Sequence, residues 1–144
     1  MSIRLEDVTR DNYLAVLKLK VHPDQQMFVA TNCCSLAQAK YVTECVPRAI
    51  YRDDEPVGFA MYRPEKDGAD CCITRLMVGA GYQREGIGSE ALRLVMEEAR
   101  ERFPTARLII CYEPENEVAK RLYARFGFVE CGMEDGEIVA EQRG

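Results

Sequence analysis

The chain has 144 residues, 47% of them hydrophobic, and a formal net charge of −5. That is enough apolar material for one globular domain over residues 1–144 with a core of its own, and the acidic balance argues against nucleic acid, which is held by basic surface. No apolar run approaches the about 18 residues that would span a bilayer, and the opening Met-Ser-Ile-Arg-Leu-Glu lacks the basic and apolar regions of a signal peptide, so no membrane partner and a cytoplasmic location are expected.

Along the chain, Ile3, Leu5 and Val8 predict a short first strand. Thr9 or Asp11 can cap the helix that follows, whose apolar side is Tyr13, Leu14, Val16, Leu17 and Leu19. His22-Pro23 ends it; the sole histidine reads either as a general base or, beside a proline, as a loop residue. Gln25–Phe28 form a polar-aromatic segment before a second helix, with Ser35 as its expected N-cap and Pro47 as its end. Arg48–Arg52 and Pro56–Tyr62 predict two strands around the acidic turn Asp53-Asp54-Glu55, and Pro64–Gly68 is a second turn. A half-buried strand, Ile73–Val78, leads into a glycine-bearing loop. From Gly88 the apolar residues Ala91, Leu92, Val95, Met96 and Ala99 make the stripe of a long helix ending near Phe103-Pro104. Ala106–Tyr112 is a nearly continuous apolar run of the fully buried type. Glu115–Phe126 is a helix closed by Gly127, and Phe128–Cys131 and Glu137–Ala140 are closing strands around Asp135-Gly136. The predicted order is β-α-α-β-β-β-α-β-α-β-β, a mixed α/β domain. Seven cysteines without a Cys-x-x-Cys pair, and one histidine, argue against a metal site. Reduced, mostly buried thiols are the simplest expectation.

The loop after the fourth strand carries the chemistry. Gly86 and Gly88 leave backbone N–H groups bare where a helix begins, and the positive end of a helix dipole with bare amides is an anion site. Gly-Lys-Ser/Thr is absent, so this is not a P-loop, and Gly-x-Gly-x-x-Gly is absent, so it is not a dinucleotide fingerprint. Gln83-x-x-Gly86-x-Gly88 resembles the acetyl-CoA loop of the GCN5-related N-acetyltransferases (GNAT), Gln/Arg-x-x-Gly-x-Gly/Ala; the bland reading is a glycine turn capping a core helix. A second motif 28 residues on, Asn116-x-x-Ala119-x-x-Leu122-Tyr123-x-x-x-Gly127-Phe128, resembles that family's second signature at every specified position. The element order resembles its fold as well, in which a mostly antiparallel twisted sheet splays between strands four and five to admit the pantetheine arm.

The resemblance implies acetyl-CoA as cosubstrate, without a metal. It places Leu76, Met77 and Val78 along the pantetheine, with the Val78 N–H polarising the thioester. The amides of Arg84, Glu85, Gly86, Ile87, Gly88 and Ser89 take the pyrophosphate beside Gln83, the Arg84 side chain adds charge, and Glu85 stands where many relatives have a basic residue or glycine. Tyr123 is the expected general acid for the departing thiolate, set against a reading as a core aromatic; its ordinary pKa near 10 is close enough to a thiol's. Asn116 either contacts the pantetheine or caps its helix, with Ala119 beside it. Glu113 is a base acting through water, an ammonium anchor, or a solvated loop carboxylate. Where polyamine-acetylating relatives often carry an acid on strand four, this chain has Thr74.

The amino-terminal third, with Gln25-Gln26-x-Phe28-Val29, and Val57–Tyr62 resemble bacterial diamine and spermine/spermidine N-acetyltransferases. That implies direct acetyl transfer to a small-molecule polyamine, with Gln26, Phe28 and Glu113 on the acceptor side. An aminoglycoside, an amino acid or a protein amino terminus stays open as acceptor, as does a domain that binds acetyl-CoA without turnover. Homodimers through the carboxy-terminal strands are common in the family.

Overall fold

The computed structural model describes residues 2–143. The elements are β1 (Ile3–Asp7), α1 (Tyr13–Lys18), α2 (Asn32–Tyr41), β2 (Val46–Arg52), β3 (Glu55–Glu65), β4 (Asp70–Val78), α3 (Ile87–Arg102), β5 (Arg107–Tyr112), α4 (Glu117–Arg125), β6 (Phe128–Glu134) and β7 (Glu137–Gln142). Their order is the predicted one. The seven strands form one sheet in the order β1-β2-β3-β4-β5-β7-β6, antiparallel throughout except between β4 and β5. That parallel pair needs a crossover, and α3 supplies it.

The sheet has a core on each face. On one, α3 lays Ile87, Ala91, Leu92, Val95, Met96 and Ala99 against Ile50, Tyr62, Cys71, Ile73 and Ile110, with Tyr123 of α4 joining them. On the other, Val16 of α1 packs with Ala49, Phe59, Met61 and Met77, flanked by Leu36 and Ala39 of α2. Buried Asn32 clasps α1 to α2, its amide donating to the Val16 carbonyl at 2.9 Å.

Several boundaries differ from expectation. Thr31, not Ser35, caps α2: its extended backbone lets its hydroxyl accept from the Cys34 N–H at 3.1 Å. Ser35 is fully buried inside the helix. Pro47 lies within β2, opposite Met61 and beyond the last rung to β1 at Arg48, so no ladder donor is missed on that side. Pro64 is inside β3, opposite Cys71, so the turn starts two residues later than expected. The thiols are free but not mostly buried. Cys45, Cys71 and Cys72 are buried, whereas Cys33 and Cys34 lie exposed on α2, Cys131 lies exposed on the edge strand β6, and Cys111 is half-buried.

The parallel ladder between β4 and β5 runs only from Asp70–Arg107 to Ile73–Ile110. At that point β4 carries a bulge: Ile73 pairs with Tyr62 and Arg75 with Met61, leaving Thr74 as the extra residue, its hydroxyl donating to the Met61 carbonyl at 3.2 Å. A bulge bends its strand and increases its twist, and beyond this one β4 and β5 separate.

Candidate active site

The separation opens a cleft of about 1640 Å³ that passes between the two strands, from the α3–α4 face to the α1–α2 face. Its walls differ in chemistry from end to end.

At the α3–α4 end the wall is built from backbone donors. Arg84 and Gly86 both have positive φ, 66° and 79°, and this paired left-handed turn sets the entry to α3. The first intrahelical bond is from the Glu90 N–H to the Gly86 carbonyl, so the amides before it have no helical partner. At Gly86 the position a Cβ would take is open, and at Gly88 it meets only the Val78 side chain at 3.9 Å. Arg84, Arg121 and Arg125 line this end and form no salt bridge among the described residues; Arg125 instead donates to the Ser89 hydroxyl at 3.2 Å. Glu85 turns away from the cleft and pairs with Arg52 at 2.8 Å. Bare amides beside three guanidiniums fit a polyanion. Sequence motifs pointed to Arg84 but not to Arg121 or Arg125, whose i, i+4 spacing on α4 was the available signal.

The middle of the cleft is the open edge of β4. The Gly79 N–H donates to the Val57 carbonyl at 2.8 Å, making that pair a bonded rung. Bonded rungs alternate in an antiparallel ladder, so Met77 turns its backbone to Phe59, and Leu76 and Val78 turn theirs toward the splay. The Val78 carbonyl is taken by the Gln83 amide at 2.9 Å, and that amide also reaches the Gln25 side chain at 3.0 Å. Gln83 thus ties the loop to the α1–α2 connection. Asn116 caps α4, its side-chain oxygen accepting from the Ala119 N–H at 3.2 Å, and both residues line the cleft.

Tyr123 is 8% exposed, its ring set at 5.5 Å from Tyr112 and 6.0 Å from Phe128. Its hydroxyl makes no hydrogen bond among the described residues, although the residue lines the cleft. Burial, with Tyr112 beside it, pushes its pKa well above the ordinary tyrosine value, so the proton stays on the phenol at neutral pH.

The α1–α2 end is acidic. The β5–β7 ladder ends at Tyr112–Ile138, so Glu113 and Glu137 are the next residues past its end and lie near each other, and Glu137 pairs in turn with Glu134 of β6. Three carboxylates therefore stand in a row, and they line the cleft without a salt bridge among the described residues. Burial first, then Glu113 and Asp135, raises the Glu137 pKa, against the pull of Arg75. Arg75 is held by Ser35 at 3.0 Å, the Thr74 carbonyl at 2.8 Å and Gln38 at 3.1 Å. Phe28 and Gln25 line this end, while Gln26 is exposed outside it. His22 lies on the rim, in the turn before Pro23. Of the acidic row only Glu113 was anticipated. A two-residue turn at Asp135-Gly136 pairs Glu134 with Glu137, a signal that was readable in the sequence.

This architecture and these motifs agree with the comparisons to known proteins. Residues 5–128 match the Acetyltransferase (GNAT) family. The spermine/spermidine N(1)-acetyltransferase of Bacillus subtilis (strain 168) is 32% identical over 134 residues, covering 89% of this chain and 88% of that one. Among solved structures, the PaiA N-acetyltransferase of Thermoplasma acidophilum, in complex with coenzyme A, superposes with a TM-score of 0.75 at 12% identity, with both chains covered in full. A GNAT family acetyltransferase from Elizabethkingia anophelis, with acetyl-CoA bound, gives 0.71 at 17% identity over 97% of each chain. The chain belongs to the GNAT family of acetyltransferases.

Proposed function

We propose that the protein transfers an acetyl group from acetyl-CoA directly to a primary amine of a polyamine such as spermidine or spermine. The observation that carries the acceptor class is the row Glu134–Glu137–Glu113. Like charges directly opposite on neighbouring strands destabilise a sheet, and a cationic chain lying along the row relieves that repulsion. The spermine/spermidine acetyltransferase at 32% identity supports the same reading.

Acetyl-CoA supplies an activated thioester. The amides of residues 84–89, with Arg84, Arg121 and Arg125, hold its phosphates. Leu76 and Val78 offer sheet-like hydrogen bonds to the pantetheine, and the Val78 N–H polarises the thioester oxygen where negative charge develops. Gln83, by occupying the Val78 carbonyl, fixes the end of β4. Asn116 and Ala119 line the opposite side. Glu113 anchors the acceptor ammonium or takes its proton through water, because a neutral amine is needed for attack. Tyr123 gives its proton to the departing thiolate. Burial that raises the phenol's pKa also raises a thiol's, so the two stay matched. Phe28 and Gln25 border the acceptor. Thr74 holds the bulge and takes no part in proton transfer.

A second reading rests on Arg75, a cation of the acceptor half that forms no salt bridge among the described residues and whose hydrogen bonds go to neutral groups, with Glu137 in its field. It favours an acceptor that carries a carboxylate beside its amine, such as an amino acid. Coenzyme A release with spermidine, spermine and putrescine, against amino-acid and aminoglycoside controls, tests both. Saturable turnover confined to the polyamines is expected. Turnover on amino acids alone would replace the first reading with the second.

A further inference from the structure

On the acceptor face, the register of β4 on β5 sets Cys72 opposite Ile109, so Cys111, two residues on, shares its face. Neither cysteine is in a disulfide. Both line the cleft, Cys72 buried and Cys111 half-buried. They straddle the last rung of the parallel ladder, Ile73–Ile110, where the strands begin to part. Neighbouring Cys71 has no share in this pair. Period two turns it to the α3 side, where it is fully buried.

We propose that Cys72 and Cys111 form a dithiol modification site for low-molecular-weight disulfides, and that their oxidation narrows the β4–β5 splay. The two sulfurs are unequal. Cys111 is half-buried and Cys72 buried, so Cys111 is the sulfur that a disulfide reaches first; Cys72 beside it lowers the Cys111 pKa, while Cys111 and burial raise the Cys72 pKa, which makes Cys111 the attacking thiolate. The Cys111 thiolate attacks one sulfur of RS–SR, forming a mixed disulfide and expelling RS⁻. The Cys72 sulfur then loses its proton and attacks the Cys111 sulfur, expelling the second RS⁻. Two cysteine thiols are oxidised to one disulfide, RS–SR is reduced to two RSH, and the two thiol protons end on those products.

The narrowing follows from sheet dimensions. Residues on adjacent strands that are offset by two positions lie about 8 Å apart at Cα, whereas a disulfide brings its Cα atoms to within about 6.8 Å. Closing the bond therefore draws the end of β5 toward β4 by about 1 Å or more. Nothing in the ladder opposes this beyond Ile110, since Cys111 is paired only to Val139 of β7. The consequence for the coenzyme rests on the pantetheine lying in the splay, as proposed above; the cross-link itself does not.

The test uses the full chain with the exposed thiols removed, C33S/C34S/C131S, equilibrated with oxidised and reduced glutathione. We expect the tryptic peptides 67–75 and 108–120 to be joined, coenzyme A affinity to fall about tenfold or more, and dithiothreitol to restore both. Cys72→Ser in the same background should give only a mixed disulfide at Cys111. No joined peptide, or one that persists in Cys72→Ser and so involves Cys71, overturns the site. A joined peptide with unchanged coenzyme A affinity overturns the narrowing. If the reduced protein binds no coenzyme A, it is the coenzyme placement that fails, and the joined peptide alone decides the thiol pair.

Discussion

Replacing Tyr123 with phenylalanine separates chemistry from packing. The hydroxyl has no hydrogen-bond partner among the described residues and is not a buried unpartnered atom, so its removal orphans nothing. The ring keeps its contacts with Tyr112 at 5.5 Å and Phe128 at 6.0 Å. The hydroxyl also opens on the cleft, so stability should change by less than about 1 kcal/mol. Catalysis should behave oppositely. A positioned general acid contributes about 10²–10⁴ in rate, or about 3–5 kcal/mol of barrier. The expected result is a kcat lower by about 100-fold or more with the KM for acetyl-CoA nearly constant, because the proton is delivered only as the thiolate leaves. Steady-state release of coenzyme A with a saturating acceptor, alongside thermal denaturation, measures both. Tyr112→Phe is the control, since Tyr112 also lines the cleft and bonds Glu130 at 3.4 Å. A Tyr123→Phe kcat within about threefold of wild type, or a loss confined to Tyr112→Phe, would refute the general-acid reasoning.

Glu137→Gln should raise the KM for a polyamine by about fivefold, the worth of one partly solvated ion pair, with little change in KM for acetyl-CoA. The Glu137 pKa is raised in the fold, so its contribution to stability is full below the unfolded value and is lost as pH rises through the folded one. Glu137→Gln should accordingly melt higher than wild type at neutral pH, with the gap closing in acid; an equal gap at both would remove the strain assigned to the carboxylate row. Gly86→Val places a β-branched side chain at φ 79°, which costs about 1–3 kcal/mol and shields the loop amides. Coenzyme A titration should show lost affinity, and unchanged affinity would exclude the loop as the phosphate site. Gly58→Ala sets a Cβ 2.4 Å from the Met77 carbonyl oxygen, so β3 and β4 must part. A fall of about 2 kcal/mol or more in urea denaturation is expected, and a neutral result would show that the two strands are not so close.

Period and punctuation alone determined the order of elements. The stripe Ala91, Leu92, Val95, Met96 and Ala99 is helical by spacing, and Gly86 and Gly88 mark a bare helix start. Such local features are dictated by neighbours along the chain, which is why the glycine loop before α3 and the helix within the Asn116–Phe128 segment could be read directly. Capping was less legible. Thr31 and Ser35 are both good caps, and only the extended backbone at Thr31 decides between them. What the tertiary structure decided is which distant residues meet. Glu113 and Glu137 come together just past the end of the antiparallel β5–β7 ladder, and Cys72 and Cys111 share a face through the parallel register of β4 and β5. Arg75 acquires Ser35 and Gln38 only once α2 lies over β4. Register and crossover depend on how a whole sheet packs against its helices, and no window of sequence contains both partners.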